Sequence, residues 1–246
     1  MMKGGFANMY GLNALALAFF MGISVAAYKL SKCQALKRTR ILRGLCLSLL
    51  VGNTFRYAVS YPFFAGEIRI PAEFSTVAYF IVPIILLFNL KRSQSWAAYS
   101  GLMAGFFYYM AAIVLGGRIY AEYPPYDIYI SMFCHGVLYL CGLVTIGTRP
   151  WPSKDGYRLA LGIACVAVRA LLLRPYVIGA ENMFIYMLLD GDLIKWLFPK
   201  TLWTALLPVY YGVAILLVLL TIRSFYKLSH RQYKRLASLR GSEAVI

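Results

Sequence analysis

Apolar runs of about 20 residues recur along this chain, parted by short stretches rich in lysine, arginine or proline. A helix of that length crosses the ~30 Å hydrocarbon core of a bilayer at about 1.5 Å per residue. The pattern predicts helices over about 8–28, 41–64, 71–90, 95–115, 126–147, 157–178 and 202–225. Pro71 falls at the first position of the third helix, where a missing N–H costs nothing, and Pro83 would kink it. Gly101-x-x-x-Gly105 in the fourth lets a neighbouring helix come close. The stretch 181–200 breaks the pattern with Asn182, Asp190, Asp192, Lys195 and Trp196. It reads as a short interfacial or re-entrant element rather than a span.

Charge gives the runs a direction. Lys3 and Val25-Ala26-Ala27 imitate a cleaved signal peptide around the first run. The length of the run, and the basic cluster Lys29, Lys32, Lys37, Arg38, Arg40 and Arg43 after it, favour a first span with its N-terminus outside. With seven spans, the inner segments (29–43, 91–92, 149–158 and 223–240) hold 17 basic residues and the outer ones 6. Seven of the nine acids divide the other way. Basic residues favour the cytoplasmic side. The expected fold is therefore an all-α membrane protein with seven transmembrane helices, N-terminus outside and C-terminus cytoplasmic. Residues 1–225 form the transmembrane domain and 226–246 a basic cytoplasmic tail.

Composition agrees. Of 246 residues, 61% are hydrophobic and 14% charged, with mean hydropathy +0.67, whereas soluble domains carry about a quarter charged residues. The net charge of +16 sits at membrane flanks, which points to anionic lipid at the basic tail rather than to nucleic acid. Five cysteines without metal-site spacing and two histidines call for no metal, and nothing calls for a cofactor.

A few polar residues lie inside the apolar runs, where they are costly without a partner or a task. On the expected topology Arg56, Glu73, Ser75, His135 and Arg169 all fall in the outer half of the bundle, and they are expected to converge on one site. Each also has a plainer reading. His135, with Ser131 and Tyr139 one turn away on its face, either serves as a base or hydrogen-bonds a neighbouring helix. Arg56 and Arg169 either pair with Glu73 or with carbonyls, or one of them holds a lipid phosphate. Glu73 suits a helix N-terminus, and Ser75 a packed helix surface. The aromatic run Phe106–Tyr109 reads as interfacial belt and lipid-facing surface.

Three short motifs carry a family resemblance: Pro71-Ala72-Glu73-Phe74-Ser75, His135 within Met132-Phe133-Cys134-His135-Gly136, and Asn182-Met183-Phe184. In position and spacing they resemble those of the YwaF-like integral membrane proteins, related to transmembrane protein 164. That resemblance implies seven helices, membrane lipids as substrate as well as environment, and the plasma membrane of a bacterium. It further implies acyl transfer or ester hydrolysis on phospholipids, with a nucleophile opening the third helix and His135 as its base. Ser75 stands where the family has cysteine, and Glu73 where it has histidine. The implied site is thus Ser75, His135 and Glu73 for catalysis, with Arg56, Arg169 and Asn182 on the substrate. Glu73 is rotated by about 200° from Ser75 on a regular helix, so it joins the site only if the helix start is unwound. A different class also fits the residues: a small proton-coupled transporter or sensor with Glu73 as its ionisable site. A third is a structural protein whose polar groups only fix helix packing.

Overall fold

The computed structural model describes residues 7–65, 69–119, 125–148, 151–177 and 183–243. These are all-helical, without strands. Five of the helical stretches, Gly11–Lys32, Lys91–Gly116, Tyr126–Ile146, Gly156–Tyr176 and Lys200–Leu236, are long and apolar enough to cross a membrane. Among the described residues the α-helices in order are α1 (Ala7–Lys32), α2 (Ala35–Phe55), α3 (Phe74–Leu87), α4 (Gln94–Ile119), α5 (Pro125–Ile146), α6 (Gly156–Leu173), α7 (Phe184–Leu189), α8 (Asp192–Leu197) and α9 (Trp203–Glu243).

The pair α4–α5 is the centre, and glycine makes it so. A Cβ on Gly101 would lie 2.7 Å from the Leu138 carbonyl oxygen, and one on Gly142 would lie 2.5 Å from the Leu102 nitrogen. Gly105 meets the Tyr139 Cβ in the same way. The small residues seen in Gly101-x-x-x-Gly105 therefore let two backbones approach, with Gly142 as their counterpart across the seam. Helix α1 lies against α4 and α5, α3 against α4, and α2 against α3. On the other side α6 meets α4 where Gly162 faces the Trp96 indole. Helix α9 leans on α6 and α8.

Three of the departures from the sequence expectation have a clear physical reason. Pro71 is not the first residue of α3. The helix opens at Phe74, and Glu73, in extended geometry at φ −61° and ψ 149°, is its cap. The Pro71 carbonyl is turned sideways to accept from Arg169, and the first intrahelical bond runs from the Val77 N–H to the Glu73 carbonyl. Second, α2 passes into a π-helical stretch, Arg56–Ala65, around Pro62. Proline has no N–H to give its preceding turn, and a widened turn accommodates the loss. Third, α9 continues about 18 residues past the expected end near 225, because the segment Arg223–Glu243 contains no proline and one glycine, Gly241. The last basic segment, up to Glu243, is thus a helix, anchored where Leu236 reaches Gly147.

The segment expected to be interfacial is a pair of one-and-a-half-turn helices, α7 and α8. They are joined through Gly191 at φ +68°, where a side chain would be strained and would also strike Leu207.

Candidate functional site

Helix α5 carries Asp127, Ser131 and His135 at four-residue intervals, one stripe facing α2, α3 and α4. His135 is buried. Its Nδ1 lies 2.8 Å from the Ser131 carbonyl oxygen, which can only accept, so Nδ1 carries the hydrogen. The Tyr79 hydroxyl of α3 stands 2.8 Å from Nδ1 and 3.2 Å from Nε2; with the Nδ1 hydrogen given to Ser131, Nε2 is the ring nitrogen able to accept from it. On its flat side the imidazole stacks on Tyr108 of α4, with ring centroids 3.8 Å apart and an interplanar angle of 8°. Three helices thus hold one ring.

Next to it, at the start of the π-helical stretch, Arg56 pairs with Asp127 at 2.6 Å. The two side chains are 14% and 13% exposed, so the pair is largely out of solvent. The Arg56 guanidinium lies 5.1 Å from the Tyr61 ring centroid, and Arg69 sits 4.5 Å from the same ring. One turn earlier on α2, Asn53 is buried and donates to the Leu49 carbonyl and to the Cys134 sulfur, at 2.8 and 3.5 Å.

The other expected residues form a second group. Arg169 of α6 donates to the Pro71 carbonyl at 2.5 Å. The Glu73 Oε1 accepts from the Ile185 N–H of α7 at 3.4 Å, and the buried Tyr186 hydroxyl donates to the Ala170 carbonyl at 2.9 Å. Helix α7 is therefore tied both to the opening of α3 and to α6. Beyond it Arg174 grips both carboxylate oxygens of Asp190. That hydrogen-bonded guanidinium holds the Asp190 carboxyl below its ordinary value. Asn182 lies outside the described residues.

Four of the five polar residues expected at one site fall into two bonded groups. His135 and Arg56 belong to the first group, Glu73 and Arg169 to the second. The partner of Arg56 is Asp127, and that of Arg169 a carbonyl; neither pairs with Glu73. Ser75 lies one turn before Tyr79 on the same face of α3, and it is Tyr79 that reaches His135. The start of α3 is unwound, as a role for Glu73 requires, but the carboxylate turns to α7. The aromatic run of α4 splits as well: Phe106 and Phe107 are exposed, while Tyr108 stacks on His135 and Tyr109 is buried, donating to the Met132 carbonyl at 2.7 Å.

Tyr79, Asp127 and Asn53 were not singled out by sequence reasoning, and Tyr108 was read as belt. For Asp127 a signal existed, since it is eight residues before His135 and so on the same helix face. For Tyr79 it was the four-residue step from Ser75. Among the described residues no three His, Cys, Asp or Glu side chains gather as a metal site would need. What the first group offers is a base of fixed tautomer, a phenol bonded to it, and an ion pair within the bundle. No protein-family model, curated protein or solved structure matches the chain.

Proposed function

We propose that this chain is a seven-span membrane protein of the bacterial plasma membrane, N-terminus outside, that performs acyl chemistry on lipid esters at the Tyr79–His135 pair. Two further spans are added to the five long apolar helices. One is α2 with its π-helical continuation, and the other is α3, whose 14 residues are lengthened by the extended lead from Arg69 to Glu73. The distribution of basic residues supports the orientation.

One observation carries the functional reading: the His135 Nδ1 lies 2.8 Å from the Ser131 carbonyl oxygen, which leaves Nε2 as the acceptor, with the Tyr79 hydroxyl 3.2 Å from it. A general base needs its donor side fixed and a free nitrogen within hydrogen-bond reach of the group to be deprotonated. Ser75 is the nucleophile and Tyr79 the link. The Tyr79 hydroxyl gives its proton to Nε2 and takes one from Ser75, whose oxygen bonds to the ester carbonyl carbon. As the tetrahedral intermediate collapses, the carbon–oxygen bond to glycerol breaks and the proton returns by the same route to the departing alkoxide. Water or the hydroxyl of a lysolipid then takes the acyl group from Ser75, giving hydrolysis or transfer. Glu73 acts by positioning, since it fastens α7 to the mouth of α3.

A fluorophosphonate probe tests this on purified protein in detergent. Labelling is expected in the wild type, lost in Ser75→Ala and His135→Ala, and strongly reduced in Tyr79→Phe. A folded protein that takes no label, or a label that survives Ser75→Ala, overturns the reading.

A second reading rests on the Arg56–Asp127 pair beside His135. A carboxylate, a guanidinium and an imidazole together suit a proton-coupled carrier, with Asp127 rather than Glu73 as the ionisable site. Proton flux into proteoliposomes that disappears in Asp127→Asn, with no fluorophosphonate label, would favour it.

A further inference from the structure

On α6, Leu161, Ala164, Cys165, Val168, Arg169 and Leu172 follow the i, i+3, i+4, i+7 spacing of one helix face. With Ile70 they line an open groove of about 640 Å³. Leu161, Val168 and Leu172 are exposed apolar side chains. Arg169 is the one charge in the lining. Its position along the helix matters. Four residues, or ~6 Å, separate it from Leu173 at the end of α6, and ~12 Å of apolar helix lie between it and Leu161. Beyond that end come the polar Arg174 and Asp190. Arg169 thus stands where the polar margin of a bilayer meets its hydrocarbon, with an apolar trough running inward from it.

The chemistry of the arginine narrows the occupant. Arg56 and Arg174 each have a carboxylate partner. Among the described residues no carboxylate pairs with Arg169, whose bond runs to the Pro71 carbonyl. A guanidinium has five N–H donors in a planar fork that matches phosphate oxygens. A free phosphate would leave the trough unused, and a hydrocarbon alone would leave the charge unanswered. We propose that this groove is a binding site for an anionic phospholipid, its phosphate on Arg169 and one acyl chain along Leu161–Val168. The bound lipid braces the opening of α3 against α6, because the same guanidinium holds Pro71. The site is separate from the Tyr79–His135 pair and does not depend on the acyl-transfer reading.

The test is photocrosslinking in nanodiscs with phosphatidylglycerol bearing a diazirine in one acyl chain, mapped by peptide mass spectrometry. Crosslinks are expected on the 161–173 segment, and Arg169→Gln should lower them about tenfold, the loss of a charge-assisted contact. A diacylglycerol probe with the same acyl chain, lacking phosphate, should label both proteins at the lower level. Equal labelling by diacylglycerol, or undiminished labelling of Arg169→Gln, overturns the proposal. If Arg169→Gln does not fold, Ala164→Phe decides, since it fills the exposed trough and leaves the arginine. Crosslinking that persists there at the wild-type level also overturns it. Because crosslinking needs no turnover, Ser75→Ala should label as the wild type does, whatever the fluorophosphonate experiment shows.

Discussion

The seam between α4 and α5 and the outer helix α9 are both apolar, yet they are built on opposite terms. In the most apolar window of α5, 61% of residues are buried; in that of α9, 6% are. The seam achieves its burial with small residues, and His135 and the Arg56–Asp127 pair lie beside it. Along α9 the side chains Val213, Ile215, Leu216, Leu217, Leu219 and Leu220 are exposed, and Gly212 has nothing within 4 Å of where a Cβ would stand. Lipid tails solvate leucine as well as leucine does, so burial of apolar area holds neither region together. What distinguishes the seam is backbone approach and hydrogen bonding. Hydropathy ranks α9 above α5, but shape and polarity make α5 the scaffold.

The largest expected effect breaks that seam. Gly105→Leu drives a side chain into Tyr139 and the His135 carbonyl, which are backbone and Cβ atoms that cannot swing aside. Overpacking of this kind costs about 3 kcal/mol or more. Purified variant should lose its monodisperse elution and its unfolding transition, while Gly212→Leu on α9 should be indistinguishable from wild type. Equal behaviour of the two would abolish the distinction drawn between the helices.

Next in size is the ion pair. Asp127→Ala leaves the Arg56 guanidinium buried without its carboxylate, which costs about 3 kcal/mol. Replacing both partners by leucine should restore most of the loss in a thermal or denaturant unfolding series. If the double variant is as unstable as the single ones, the pair is needed for more than its own charge balance. Smaller again is Tyr79→Phe, which removes one hydrogen bond to His135 at a cost of about 1 kcal/mol. Its stability effect should be slight beside its effect on fluorophosphonate labelling. A variant that labels as the wild type does would take Tyr79 out of the proton path.

How far the sequence reaches is visible in the same contrast. Lengths of apolar run located α1, α4, α5 and α6 within a few residues, and the glycines of α4 announced a close neighbour. The run 202–225 was legible as a span but not as part of a 41-residue helix, since hydropathy stops at the lipid boundary and helical structure does not. The π-helical turn at Arg56 leaves no periodic trace in a run that is apolar on several sides. The bonding partners of the polar residues were not legible for a geometric reason. Distance along a helix fixes depth, but each residue also turns by about 100°, and that angle decides which neighbour is met. Arg56 and Arg169 share a depth range only on the expected topology, and they face different partners. Applied to α5 alone, the angular rule does lead from His135 to Asp127.

The smallest effect lies at the periphery, where the pair Arg174–Asp190 joins the end of α6 to the turn between α7 and α8. The Asp190 carboxyl is held below its ordinary value chiefly by the hydrogen bond from Arg174. A carboxyl lowered in the folded state contributes stability that is whole above its unfolded value, about 3.9, and disappears as pH falls through the folded one. The guanidinium is 43% exposed, so solvent and salt screen the interaction and the contribution is slight. Hydrogen exchange across 184–197 should therefore be unchanged from pH 7 to pH 5 and quicken, beyond the intrinsic rate, only below about pH 4. Asp190→Asn should remove that acid-dependent quickening, and high salt should blunt it. The α4–α5 seam, which has no such pair across it among the described residues, should show no matching change over the same range. An acid response of equal size in both regions would mean that the seam too is held by titrating charge, and the contrast between them would fall.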